Sequence, residues 1–268
     1  MLKKTFAKRR VRSQVDLDDL PSFPAVVANA LRRLRDPDAS LGEVGDALVQ
    51  DPRVSAQLLR LANSTAFALR HAVRSVPHAV SLLGRGTTES LLLGGVVSGV
   101  SGALGDRKQL VDFWTRAAQR ALVARAVAQD VAIGQESECF TEGLLQDMAV
   151  PYLRRTLEVY PAMLASWEEE GGDFGALERD RLGYDHAMVA GWMAERWEFP
   201  DTLVAALSTH HERTDTPGGF AAATDTFEEE AFMEIAQRTF SADREQAERW
   251  FSARDGAEEF ASLLLAAA

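Results

Sequence analysis

Cysteine is almost absent from this sequence. A single residue, Cys139, among 268 excludes an internal disulfide and any cysteine-built zinc module, and it suits a reducing compartment. Long hydrophobic runs are missing too. The longest, Leu91–Leu104 (LLLGGVVSGVSGAL), is broken by Gly and Ser, and a bilayer-spanning helix needs about 20 apolar residues. The basic start MLKKTFAKRRVRSQV has no apolar core after it, which excludes export by a cleaved leader and predicts a cytoplasmic protein. Positive charge is in deficit: 29 Lys and Arg against 40 Asp and Glu leave a net charge of −11. Phosphate affinity comes mainly from clustered Lys and Arg, so this balance argues against a dedicated nucleic-acid binder. The exception is a basic arm, residues 1–18, whose first 15 residues hold six Lys or Arg and no acid. It reads as a solvated tail, although it could meet a nucleic acid, a lipid surface or an acidic partner.

What is present is helical patterning. With 46% hydrophobic and 26% charged residues the chain can bury a core. There is no period-2 run of β-branched residues and no internal repeat. Helix signals recur instead. Pro24 opens AVVANALRRLRD, Ser40 and Glu43 form a capping box, and Asp51-Pro52 is an N-cap followed by a first-turn proline. Ser75 starts VPHAVSLL and Gly84 ends it, with a further apolar helix over about 87–100. A long amphipathic helix follows from Arg107. Next come CFTEGLLQDMAVPYLRRTL, bent at Pro151, and helices at PAMLASWEEE, Phe174–Leu182, Asp185–Trp197 and Asp201–His211. Pro217-Gly218-Gly219 breaks the chain, and two or three amphipathic helices close it. The fold class is therefore all-α: two packed helical lobes, about 19–103 and 107–215, with an acidic helical extension over 216–268.

Motifs that carry chemistry are few. There is no GxSxG nucleophile turn and no GxxxxGK[ST] phosphate loop. The glycine-rich Leu91–Leu104 reads as close helix packing, and Cys139 as a small buried side chain. Met148, Met163, Met188 and Met193, like Trp114, Trp167, Trp192 and Trp197, read as core or interface anchors. The nitrogen and oxygen set Asp147, His186, His210 and His211 is of a kind that suits a divalent transition metal. On an ideal helix His210 and His211 point about 100° apart and cannot share one ion. From spacing alone each histidine also reads as a hydrogen-bonded, half-buried side chain.

Several blocks, in order, resemble the HDOD domain, a bacterial all-helical signalling module related to HD-type metal phosphohydrolases. They are LPSFPAVVANALRRLRDPDASLGEVGDALVQDPRVSAQLLRLANSTAFA, RSVPHAVSLLG, DFWTRAAQRALVARAVA, FTEGLLQDMAV, GYDHAMVAGWMAERWEFPDTLVAAL and THHE, over about residues 19–212. In metal-dependent relatives a helix histidine comes first, then an adjacent His-Asp pair, then later histidines. The resemblance puts these positions on Arg116, on Gln146-Asp147, and on His186, His210 and His211. Two ligand positions are thus replaced. A glutamine amide is a poor substitute for imidazole, and an inward Arg116 would repel a cation. An Arg116–Asp147 ion pair in place of the metal is the expectation. The resemblance therefore implies a non-catalytic signalling module with a vestigial metal site, no catalytic residue and no cofactor. At most one divalent transition metal would be weakly held. Signalling proteins are the implied partners, and no receiver, GGDEF or EAL segment is recognisable, so the module would stand alone or act in trans. Asn63, Arg116, Gln146 and Glu212 are candidates to line a groove. The alternatives are a metal-dependent phosphohydrolase or cyclic-dinucleotide phosphodiesterase with a reduced site, and a nucleic-acid binder acting through the basic arm.

Overall fold

The computed structural model describes residues 24–67, 71–102, 106–212, 215–224 and 228–266. The basic arm, residues 1–18, lies outside them. Every regular element among the described residues is helical. In chain order they are α1 (Ala25–Arg35), α2 (Leu41–Val49), α3 (Pro52–Ala62), α4 (Val76–Gly102), α5 (Arg107–Val131), α6 (Glu136–Leu145) and α7 (Ala149–Thr156). Then follow α8 (Tyr160–Glu170), α9 (Phe174–Leu182), α10 (His186–Arg196), α11 (Asp201–Ser208), α12 (Pro217–Ala223), α13 (Glu229–Phe240), α14 (Arg244–Ser252) and α15 (Ala257–Leu265). Short 3₁₀ turns lie at Thr65–Phe67 and His210–Glu212.

The starts follow local chemistry. Ser40 and Glu43 form a full capping box ahead of α2, and the Asp51 side chain accepts from the backbone of Arg53 and Val54 ahead of α3. Gly84, at φ 75° and ψ 178°, kinks α4 where the sequence reading ends one helix and starts another. Two expectations are corrected. The break in CFTEGLLQDMAVPYLRRTL falls at residues 146–148, not at Pro151, because a proline in the first turn of α7 has no intrahelical N–H to lose. Pro217-Gly218-Gly219 opens a helix rather than ending one, since the Thr216 hydroxyl caps the Gly219 N–H.

The chain divides into two compact units, one of them residues 146–212 and the other the described residues before and after that span. In the larger unit α5 packs against α6, α12 and α15. The segment after residue 212 shares the core of the first six helices. Phe220, Phe232 and Trp250 are buried in one cluster with Val123, Val127 and Cys139. The carbonyl of Leu264 accepts from Gln57 Nε2 and from Ser98 Oγ, each at 3.2 Å. This grouping cuts across the expected lobes at 19–103 and 107–215 and the expected separate extension. Close packing explains two glycines of α4: a Cβ on Gly94 would sit 2.7 Å from Leu144 Cδ2, and one on Gly95 would sit 2.8 Å from Gln57 Oε1, whereas one on Gly99 would meet nothing within 4 Å.

The smaller unit, α7 to α11 and the His210–Glu212 turn, is built around buried Tyr152, Leu153, Tyr160, Tyr184, Val189 and Leu207. Its helices α10 and α11 approach closely at Gly191, where a Cβ would lie 3.1 Å from Ser208 Cβ.

Candidate metal centre

Four side chains from three chain segments of the smaller unit converge. Asp147 lies in the turn before α7. His186 is the first residue of α10, placed by Asp185, whose Oδ1 accepts from the Met188 N–H at 2.8 Å and caps the helix. His210 and His211 follow α11. Thr209, at φ −131° and ψ 16°, takes the chain out of the helix, and the two rings then lie with centroids 4.0 Å apart. The expectation that adjacent histidines cannot serve one ion assumed an ideal helix, and the early end of α11 removes that assumption. Ligand atoms of His186, His210 and His211 lie within 4.8 Å of one another. Asp147 Oδ1 is 3.3 Å from Nε2 of both His186 and His210, and His186 Nε2 is 3.0 Å from His211 Nε2.

The outer nitrogens are already committed. The carbonyl of Leu207 accepts from His210 Nδ1 at 3.0 Å. Glu178 Oε2 accepts from His186 Nδ1 at 2.6 Å and from the His186 backbone N–H at 3.0 Å. In the neutral rings these bonds fix the proton on Nδ1 and leave each Nε2 lone pair facing a carboxylate oxygen. Lone pairs facing a carboxylate repel unless a cation lies among them. His210 Nε2 is buried and makes no hydrogen bond, which marks the same deficit. The donor set, three imidazoles and one carboxylate, fits a single divalent transition-metal ion.

Without an ion, protons balance the charge. Burial lowers the His186 pKa, but its hydrogen bonds to Asp147 and Glu178 and their negative charge outweigh it, raising it to about 10. Burial and the charges of His210 and His211's other neighbour, His186, push His211 down to about 4.

Of the remaining candidates, Asn63 and Arg116 belong to the larger unit and Gln146 and Glu212 to the smaller. Asn63 is the C-cap of α3. Its amide donates to the carbonyls of Leu59 and Val73 and accepts from the Val73 N–H, so it ties down its own loop. Arg116 is solvent-exposed on α5, and the arginine buried on that helix is Arg120, one turn further on. Gln146 is buried, and its Oε1 accepts no hydrogen bond. Glu212 is exposed in the turn after the histidine pair.

Sequence reasoning missed Glu178, Tyr160 and Arg179. Glu178 is fully buried, and Tyr160 Oη donates to its Oε1 at 2.5 Å. Arg179 Nη1 donates to Asp185 Oδ2 at 2.5 Å, so Asp185 is taken up by capping and this ion pair. One signal was available: Phe174, Glu178 and Leu182 recur every four residues, which puts an acid on the buried stripe of α9.

An all-helical chain with this site has clear relatives. The HDOD domain family model matches residues 20–213, and the chain belongs to that family. It is 25% identical over 207 residues to an uncharacterized protein of Treponema pallidum, covering 75% of this chain and 39% of that protein. The chain therefore spans well under half the length of that relative. Among solved structures, a protein of Shewanella amazonensis provisionally named a phosphohydrolase is similar with a TM-score of 0.74 and 23% identity, over 92% of this chain and 96% of that one. A protein of Marinobacter aquaeolei provisionally named a signal transduction protein gives a TM-score of 0.72 and 21% identity, over 97% of this chain and 66% of that one. No helix among the described residues is long and apolar enough to cross a membrane.

Proposed function

We propose that this chain is a non-catalytic, cytoplasmic signalling module of the HDOD type that acts by binding a signalling protein. One observation carries the reading. Among the described residues a single group of three or more His, Cys, Asp or Glu side chains could hold an ion, and its donors suffice for one. Gln146 stands beside Asp147 where the resemblance puts a histidine in metal-dependent relatives. Hydrolysis of a phosphodiester by paired ions relies on a clamp about both the attacking and the leaving oxygen, and a second set of ligands is what this reading says is missing. The name of the Marinobacter protein supports a signalling context, and that of the Shewanella protein keeps a hydrolase as the alternative.

The site would hold its ion through Asp147, His186, His210 and His211. Such an ion, when bound, supplies positive charge and Lewis acidity. The chain's own residues do the rest: Asp147 and the three imidazoles tie the turn before α7 to the start of α10 and the end of α11, and the exposed His211 faces solvent.

The test is elemental analysis of untagged protein purified without chelator, beside a His211→Ala control, with bis(p-nitrophenyl) phosphate and cyclic dinucleotides as substrates. At most one ion per chain, lower in the variant, and no turnover is expected. Two ions per chain with turnover that disappears in His211→Ala would establish the phosphohydrolase instead. Salt-sensitive DNA or RNA binding that disappears when residues 1–15 are removed would favour the nucleic-acid alternative.

A further inference from the structure

Three constraints act on the His186 ring besides its inward contacts. The Phe174 ring stacks on it with centroids 5.8 Å apart and planes at 27°. Glu178 Oε2 accepts from its Nδ1 and also from its backbone N–H, so one oxygen fixes both the ring and the helix start beneath it. Glu178 is held in turn, because the Tyr160 hydroxyl donates to its other oxygen. Glu178 and Tyr160 are both fully buried, so neither can trade these bonds for water. Both Glu178 oxygens act as acceptors, for three donors in all. Burial and the nearby carboxylates raise the Tyr160 phenol well above its usual range, so it stays a donor. Neither residue faces the cation position itself.

We propose that Glu178 and Tyr160 are a positioning pair that locks His186 with Nε2 turned toward Asp147 and His211, and so preforms the cluster for a divalent cation. The proposal rests on the single-ion reading above. Carboxylates that accept from the outer nitrogen of a ligating histidine fix its tautomer and raise its basicity, and their loss costs about 10- to 100-fold in metal affinity. The four-residue spacing of Phe174, Glu178 and Leu182 puts the acid on a buried stripe but does not pair it with Tyr160 or His186. The pair exists because Gly183, in the left-handed region at φ 84° and ψ 8°, turns the chain back so that the start of α10 meets the buried face of α9.

The test uses the full chain, Co2+ as the probe, and Glu178→Gln and Tyr160→Phe variants. Co2+ affinity is read by competition with a chelating indicator. Independently, the proton on His186 Nδ1 is followed by its low-field NMR signal in metal-free buffer, assigned through the attached nitrogen. Wild type should bind one Co2+, Glu178→Gln should bind about 10- to 100-fold more weakly, and the low-field proton should be lost in that variant. Equal Co2+ affinity and an unchanged proton signal in Glu178→Gln would overturn the positioning role while leaving the single-ion reading intact. A wild type that binds no Co2+ but loses the proton signal in Glu178→Gln would keep the positioning role and overturn the single-ion reading. If Glu178→Gln does not fold, Tyr160→Phe decides: weaker Co2+ binding and a shifted proton signal are expected, and no change in either overturns the proposal.

Discussion

Replacing Gly191 by alanine should loosen the unit that holds the site. A Cβ there would lie 2.0 Å from Ser208 Oγ, 3.1 Å from Ser208 Cβ and 3.5 Å from Ser208 Cα. The hydroxyl can rotate away, at the cost of its 2.6 Å bond to the Val204 carbonyl, worth about 0.5–1.5 kcal/mol. The Cβ cannot, so α10 and α11 must separate by a few tenths of an ångström. Overpacking of this kind costs about 1–3 kcal/mol, and the better helix propensity of alanine returns about 1 kcal/mol. The net expectation is a loss of about 0.5–3.5 kcal/mol. Hydrogen exchange read on peptides covering residues 186–208 reports on this unit without interference from the other. Ser208→Gly removes the opposing atoms, so the double variant should recover at least about 1 kcal/mol relative to the sum of the single changes. Strict additivity would refute the contact argument. Because α10 carries His186 and α11 leads into His210 and His211, Gly191→Ala should also weaken Co2+ binding, and Ser208→Gly should restore part of it.

Three further outcomes are expected. In chelator-treated protein, His186 has a pKa raised from 6.5 to about 10, so its stabilising contribution is complete below pH 6.5 and is lost as pH rises toward 10. His211, lowered from 6.5 to about 4, contributes above pH 6.5 and loses that contribution as pH falls toward 4; thermal midpoints across this range check both, and a flat profile contradicts them. Gly143→Ala should destabilise the larger unit by about 3 kcal/mol, since its Cβ would sit 2.9 Å from the backbone N and Cα of Ala121; urea unfolding measures it. Gly99→Ala on α4 meets nothing within 4 Å, so by the same measurement helix propensity alone should stabilise it by about 0.5–1 kcal/mol.

Much of the fold could be read from the sequence because its signals are local. The Ser40–Glu43 box, the Asp51 cap and the Gly84 kink each depend on a few neighbouring residues, and each appears where the sequence puts it. What could not be read is long-range. The aromatic residues Phe220, Phe232 and Trp250 read as the apolar faces of an appended extension, but they fill a cluster with Val123 and Cys139 far earlier in the chain. Helical periodicity says that a face is apolar and not which face covers it. The same limit explains Pro151: the residue type was read correctly as a helix breaker, but its effect depends on where the first turn begins.

For the site, the sequence named the four converging groups, Asp147, His186, His210 and His211, but misjudged the charge around them. It placed a compensating cation at Arg116, whose side chain is in solvent, and did not foresee the buried carboxylate of Glu178 beside the half-buried one of Asp147. Glu178 and Asp147 flank one imidazole, at 2.6 Å from its Nδ1 and 3.3 Å from its Nε2. Two carboxylates so placed are costly to bury unless positive charge lies between them. A proton on His186 supplies one charge and turns its Nε2 into a donor, leaving the buried His210 Nε2 still without a hydrogen bond. A divalent ion would supply two charges and engage all three Nε2 atoms at once. Deletion of Glu178's charge therefore separates the two cases physically: it removes half of the demand for a cation while leaving the four ligands in place, so metal affinity should fall even though no ligand has been lost.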